Sequence, residues 1–290
     1  MKNSMRILVT GATGQLGYDI LRELKERGYN NILGVGHADL DITQEAEVKK
    51  FIENYKPDVI MHNAAWTAVD KAELNPVKCY DVNVLGTRYL AEAAQKLNSK
   101  FVYISTDYVF DGEGDKPFEI NDNKKSLSVY GKTKYQGELE AQKVEKYFIV
   151  RVSWVFGING NNFVKTMLKL SETKTDLNVV CDQIGSPTYT YDLSKLLCTM
   201  IETDKYGVYH ATNEGFCSWS EFATEIFDVA GKKTIVHPVS TEEYLKTIPQ
   251  QAKRPLNSRL SKKSLDDAGF ERLPTWQDAV TRYIKNELKK

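Results

Sequence analysis

The stretch Met5-Arg-Ile-Leu-Val-Thr-Gly-Ala-Thr-Gly-Gln-Leu-Gly17 decides the fold. Its apolar run, Ile7 to Val9, predicts a strand buried on both faces of a parallel sheet. The run ends in Gly11, Gly14 and Gly17, and a helical pattern extends from Leu16 to Arg27. Strand, glycine turn and helix N-terminus together make an anion site, because free backbone N–H groups and the positive end of the helix dipole point the same way. Gly11 makes the sharp turn, Gly14 lets a pyrophosphate approach the backbone, and Gly17 lets helix and strand pack closely. A glycine triplet alone reads equally as a tight turn; between a strand and a helix it reads as a dinucleotide-binding loop.

A second strand is expected over Asn31–Gly36, and its end should meet the adenosine ribose, where a carboxylate favours NAD and a cation NADP. His37 stands there, with Asp39 and Asp41 just beyond, so neither cofactor is selected by that spot. His37 reads equally as a loop residue in solvent. Thr43 reads as the cap of a helix carrying Val48, Phe51, Ile52 and Tyr55. Val59 to Ala65 is a third strand whose small end residues, Ala64 and Ala65, suit a backbone that a ligand touches. Pro76 to Leu97 reads as one long helix with Asn83, a poor helix former, inside it. The fourth strand, Lys100–Thr106, ends in Ser105, Thr106 and Asp107, and ligands of open α/β sheets bind at such ends. A helix from about Ser128 carries Tyr130 and Lys134 one turn apart, together with two costly glycines, Gly131 and Gly137. Gly131 is read as leaving room for something to lie against the helix. Tyr147 to Trp154 is the fifth strand.

Strand and helix alternate through this half, which predicts an α/β fold with a doubly wound, Rossmann-type parallel sheet. Residues 1–156 are assigned to the dinucleotide-binding domain and 157–290 to a smaller C-terminal substrate-binding region, part of which returns to the main sheet. That region is read as helices from Phe163, Asp192, Ser218 and Trp276, strands near Val179 and Val208, and irregular segments with Pro238, Pro249 and Pro255. Lys285 to Lys290 reads as a solvated, mixed-charge helix end.

The 39 basic and 39 acidic residues balance, so no global field argues for nucleic acid or an anionic membrane surface. No apolar stretch is long enough to span a membrane, and no signal-peptide pattern is recognised. Cys79, Cys181, Cys198 and Cys217 lack metal-ligand or CxxC spacing and read as reduced thiols, so a cytoplasmic location is expected.

A free phenol titrates near ~10, too high for acid–base work at neutral pH. An ammonium one helical turn away should bring Tyr130 toward the useful range, and Lys134 supplies it. Thr106 can bond the same substrate oxygen. With a nicotinamide between them, hydride would pass to a carbonyl carbon while Tyr130 protonates the developing alkoxide.

The glycine loop, Tyr130-Gly-Lys-Thr-Lys134 and the strand order resemble the extended short-chain dehydrogenase/reductases. His62 to Asp70, Ser105 to Gly112, Arg151 to Gly157, Asp182 to Thr188 and Arg254 to Leu260 are similar to the branch that reduces a dTDP-linked 4-keto-6-deoxyhexose to its rhamnose. The resemblance implies Thr106, Tyr130 and Lys134 as the catalytic set. It implies Gly11, Gln15, Leu16, Asp39, Leu40, Ala64 and Ala65 along the cofactor. It places Thr67, Val69, Asp107 and Tyr108 around the deoxysugar of a dTDP-sugar, with Trp154 as an aromatic wall. Asn83 would position Lys134 through water. Arg259 would hold the substrate's pyrophosphate, which a guanidinium grips bidentately. NADPH is the implied cofactor; His37 departs from the basic residue usual in the family, which leaves NADH open. A homodimer also stays open, and with no acidic cluster beside Gln15 no metal is expected. Two rivals remain: a cofactor-binding regulator resembling the regulatory subunit of methionine adenosyltransferase, and a nucleotide-sugar epimerase. Trp154 and the Ser105–Thr106 pair favour the enzyme.

Overall fold

Ile7, Leu8 and Val9 are fully buried, as a strand covered on both faces requires. In the computed structural model, which describes residues 4–247 and 252–288, they form β1 (Ile7–Thr10). Pro249, Lys289 and Lys290 lie outside the described residues. Around β1 are α1 (Gln15–Glu26), β2 (Ile32–Val35), α2 (Glu45–Tyr55) and β3 (Val59–His62). Then follow α3 (Val69–Leu74), α4 (Pro76–Tyr80), α5 (Gly86–Lys96), β4 (Lys100–Thr106), α6 (Val129–Ala141) and β5 (Tyr147–Val152). A sixth strand, Gly207–His210, returns from the C-terminal half and pairs with β5. All pairings are parallel, and β1 has β2 on one side and β3 on the other. The strand order reverses at β1, so a crevice opens at the carboxyl ends of β1 and β3.

The two faces of β1 feed different layers. Ile7 and Val9 pack with Ile20 and Leu24 of α1 and with Leu193 and Leu197 of the helix Thr190–Met200. Leu8 joins Val48, Ile52, Leu90 and Ala94 on the opposite side. A third apolar cluster, around Phe156, Phe222, Trp276 and Tyr283, lies under the C-terminal helices.

Several local expectations are corrected. The helix expected over 76–97 is broken into α4, a π turn at Asp81–Leu85 and α5, and Asn83 sits in the π turn. A π turn widens the helix by one residue and commonly marks a functional position. Thr43 is not the α2 cap; Gln44 holds that position, and Asp41 accepts the Thr43 N–H and hydroxyl at 3.0 and 2.8 Å. Gly131 does not make room for a ligand: a Cβ there would meet the Tyr108 carbonyl at 2.2 Å. At Gly137 a Cβ would strike the Tyr103 hydroxyl at 2.2 Å and the Asn83 carbonyl at 2.6 Å. Both helix glycines serve close backbone approach. The segment at Pro238 is the strand Ile235–Val239, paired with Asp176–Val180. All four cysteines are free, three of them buried.

Candidate active site

The N-terminus of α1 has Gly14 as its cap, no side chain bonding its first N–H groups and no acidic residue in its first turn. Those donors are left for a ligand. Gly11 takes φ 65°, and a Cβ on it would lie 2.8 Å from the Ala64 nitrogen. At Gly17 a Cβ would come within 2.2 Å of the Gly11 carbonyl. Positions 11 and 17 therefore have no room for a side chain, and the loop opens into a cleft of about 710 Å³. Such a cradle fits the pyrophosphate of a dinucleotide.

Gly11, Gly14, Gln15, Leu16 and Gly17 line this cleft, as do the strand-end residues His37, Leu40, Ala64 and Ala65. Thr67, Val69, Asp107, Tyr108 and Trp154 line the same cleft, with Thr106, Tyr130 and Lys134. Asp39 is absent from its wall; the carboxylate accepts the Gly36 N–H at 2.8 Å and closes the turn after β2. Gln15 has a second task, accepting the Gly157 N–H at 2.9 Å and the Asn162 amide at 3.0 Å.

Ser128 caps α6, its side chain accepting the Gly131 N–H, which starts the helix where Tyr130 and Lys134 share one face. Burial raises the Tyr130 phenol well above its ordinary value; the Thr106 hydroxyl acts the other way, and Asp107 and Tyr108 reinforce the rise. Burial also lowers the Lys134 amine to about 7, against the pull of the Glu138 carboxylate. The Lys134 Nζ lies 4.0 Å from the centre of the Tyr103 ring. The expected lowering of the phenol by its lysine is therefore not met: at Tyr130 desolvation outweighs the Thr106 hydrogen bond, and at Lys134 it outweighs the Glu138 charge. The result is a phenol that keeps its proton at neutral pH, the state a proton donor needs.

Asp107 is 3% exposed and burial pushes its carboxyl up to about 6, opposed by the Ser258 and Thr106 hydroxyls. Its Oδ1 accepts the Thr106 hydroxyl at 2.9 Å, while Oδ2 has no partner of hydrogen-bonding geometry among the described residues. Ser105 is committed elsewhere, donating to Glu138 at 2.5 Å. Glu138 is fully buried and is also held by Arg151 through two bonds of 2.8 Å. Asn83 accepts the Trp66 N–H at 2.8 Å and donates to the Thr133 hydroxyl at 3.1 Å. It thereby ties the loop after β3 to the residue before Lys134.

Arg259 is not brought to the cleft. Its guanidinium donates to the Asn257 side chain at 3.0 Å and lines neither the cleft nor the cavity beside it. Arg254, five residues earlier, lines that second cavity of about 210 Å³, which meets the cleft at Tyr108, Trp154 and Trp219. It donates to the Tyr108 hydroxyl at 3.2 Å and to Asp70 at 2.7 Å. The Arg-Pro pair was the available signal: a Cβ on Gly112 would collide with Pro255 at 2.3 Å, so the proline is pressed against the chain there.

Trp154 has φ 50°, strained for a bulky residue, and its indole stacks on Trp219 at 3.7 Å and 14°. Trp154, expected as an aromatic wall, is one of a stacked pair. Nothing in the sequence around Trp219, the first residue of a helix with a capping box, marks it as part of the cleft. Among the described residues no group of three or more His, Cys, Asp or Glu is gathered to hold a metal. No helix among them is long and apolar enough to cross a membrane.

A family model described as the RmlD substrate binding domain matches residues 5–289. The chain is 41% identical over 281 residues to the spore coat polysaccharide biosynthesis protein SpsK of Bacillus subtilis (strain 168), with 97% of each covered. It is 42% identical over 288 residues to a dTDP-4-dehydrorhamnose reductase of Aggregatibacter actinomycetemcomitans, covering 95% of this chain and 97% of that one. The structure of a dTDP-4-dehydrorhamnose reductase from Bacillus anthracis str. Ames in complex with NADP superposes with a TM-score of 0.93 at 42% identity, over 98% and 99% of the two chains.

Proposed function

The chain belongs to the RmlD substrate-binding-domain family, and from that premise we propose that it is a reductase of a nucleotide-linked keto sugar. It uses NADPH to reduce the C4 ketone of dTDP-4-dehydro-L-rhamnose to dTDP-L-rhamnose, in the cytoplasm, where its free cysteines stay reduced. The observation that carries this reading is the convergence of Thr106, Tyr130 and Lys134 on the cleft that the glycine loop opens. The names of relatives at about 40% identity over nearly the whole chain support the substrate.

When bound along the glycine loop, NADPH supplies a hydride for the carbonyl carbon. Tyr130 donates its phenolic proton to the carbonyl oxygen, and burial holds that proton on the phenol until the oxygen gains charge. Lys134 in its ammonium form, which the buried site holds in balance with the amine near neutrality, stabilises the phenolate left behind. Thr106 steadies the same oxygen. The unpartnered Asp107 Oδ2 accepts from a sugar hydroxyl, and Arg254 faces the diphosphate from the adjoining cavity.

The test is to add dTDP-4-dehydro-L-rhamnose to purified protein with NADPH and identify the product. Stoichiometric loss of NADPH with formation of dTDP-L-rhamnose is expected. Cofactor binding without turnover would favour a regulatory protein. Interconversion of sugars with tightly held NAD and no external reductant would favour an epimerase.

A further inference from the structure

Lys134 is 3% exposed, yet the reduction needs charge on its amine in that buried place. Among the described residues no carboxylate pairs with it. Glu138, one turn further along α6, is spent on two bonds to Arg151 and on the Ser105 hydroxyl. What lies under the Lys134 Nζ is the ring of Tyr103 on β4, its centre 4.0 Å away. The same tyrosine donates its hydroxyl to the Lys134 carbonyl at 3.2 Å, so it holds the residue at both ends. Gly137 makes that reach possible, since a Cβ there would stand 2.2 Å from the Tyr103 hydroxyl.

We propose that Tyr103 is a positioning residue for the reduction: the negative face of its ring seats the Lys134 ammonium where it supports the Tyr130 phenolate. This deepens the reductase reading given above and rests on it.

A ring face attracts a cation within about 6 Å of its centroid, and most strongly where water is excluded. Tyr103 is 1% exposed, and burial, reinforced by Glu138 and Tyr130, raises its phenol well above the ordinary value. The seat is therefore a neutral ring, and no phenolate at Tyr103 competes with the one formed at Tyr130. Burial lowers the Lys134 amine to about 7, so a group that favours the cation decides how much ammonium the site holds near neutrality. The other groups facing Lys134 bring little charge of their own. On α6, Tyr130 keeps its proton, and Glu138, which favours the ammonium, is paired with Arg151 of β5. From α4, Cys79 is a thiol that burial holds protonated. From β3, His62 is neutral, lowered to about 3 by burial and by Lys134 itself. Glu73 of α3 accepts the Val129 N–H at 2.7 Å, Arg88 of α5 pairs with Glu140, and Asp107 accepts the Thr106 hydroxyl.

The experiment replaces Tyr103 in the full chain and follows pH. Tyr103→Phe keeps the ring face and loses the hydroxyl, whereas Tyr103→Leu loses the face. Progressively fluorinated phenylalanines at position 103 keep the shape and drain the face of negative charge. In the wild type, kcat for reduction of dTDP-4-dehydro-L-rhamnose by NADPH should fall as pH rises through the Lys134 value. With Tyr103→Leu that fall should come about one pH unit lower, a tenfold loss of ammonium at a given pH. Tyr103→Phe should titrate close to the wild type, and each added fluorine should move the fall further down. Thermal unfolding reads the same amine without any substrate. Below its folded-state value the lysine is charged in both states and its contribution is flat; above it the unfolded chain binds more protons, so Tm rises with pH. That rise should begin about one pH unit lower in Tyr103→Leu. A fluorinated series with no graded shift in either readout overturns the proposal, and so does a Tyr103→Phe shifted as far as Tyr103→Leu. If Tyr103→Leu does not fold, the fluorinated rings, which fill the same space, decide the matter. If the wild type does not reduce the sugar while the onset of the Tm rise follows the fluorine series, the substrate assignment falls and the seat for Lys134 stands.

Discussion

At the scale of single residues, Tyr130 and Lys134 show how far chemistry follows from spacing. Four residues apart on a helix, they had to share a face, and the cleft lies on that face. What spacing cannot carry is solvation: both groups are buried, so the phenol is raised and the amine lowered to about 7. Tyr130→Phe removes the donated proton and nothing else of comparable size. We expect kcat to fall by about 10²–10⁴ with cofactor affinity nearly unchanged, checked by single-turnover NADPH oxidation and a binding titration. Lys134 gives a second prediction with a definite sign. In the unfolded chain a lysine keeps its proton up to about 10.4, whereas the folded protein releases it near about 7. The unfolded state binds more protons between those values, so stability rises with pH across that window. The slope approaches ~1.4 kcal/mol per pH unit for one group. Lys134→Met should abolish that slope and raise Tm near neutrality while turnover collapses. Parallel pH dependence of Tm in the two proteins would show that the amine is solvated. Arg259 marks the limit of reading residues alone. It and Arg254 stand five apart in one loop, and only the fold shows that Arg254 faces the cavity at Tyr108.

At the scale of elements, the alternating strands and helices of the first half were legible because each strand is a short apolar run and each helix has one apolar face. The π turn at Asp81–Leu85 was not, since a single extra residue leaves apolar periodicity almost intact over one turn. Its need became visible from Gly137, where helix α6 comes so close to the Asn83 carbonyl that no Cβ fits. The glycines of α6 yield a paired prediction. Gly131→Ala should push the Tyr108 carbonyl, 2.2 Å from the new Cβ, and with it the Asp107–Val109 turn beside Thr106. We expect a loss of about 1–3 kcal/mol in denaturant unfolding and a drop in activity larger than the stability loss explains. Gly28→Ala is the comparison: φ is 80° there but nothing lies within 4 Å, so about 1 kcal/mol should be lost with activity intact. Equal activity in the two variants would mean that the turn after β4 tolerates displacement without disturbing Asp107 and Tyr108.

At the scale of the whole molecule, the second half of the chain finishes the first. Leu193 and Leu197 of the helix Thr190–Met200 cover the same apolar layer as Ile7, Val9 and Ile20. The strand Gly207–His210 pairs along the free edge of β5, and Arg151 on β5 lies 3.2 Å from His210. Thr190 bonds to the buried Asp19 of α1, and Gln15 reaches across to Gly157 and Asn162. A sequence read in order could place a boundary near residue 156, since the regular alternation of strand and helix stops there. It also raised the return of part of the second half to the main sheet, but it could not single out which helix fills the layer and which strand the edge, because such pairings lie far apart in the chain. These contacts predict that residues 1–156 alone do not fold. The fragment would expose the part of the α1-side face that the helix Thr190–Met200 covers, and an unpaired edge at β5, which is an invitation to aggregate. In the full chain the same contacts couple the halves, so thermal unfolding should be one transition with calorimetric and van't Hoff enthalpies in agreement. A soluble 1–156 fragment with native-like circular dichroism and protection by NADP would overturn this. It would mean that the cofactor half carries its own core and that the returning helix and strand are additions to it.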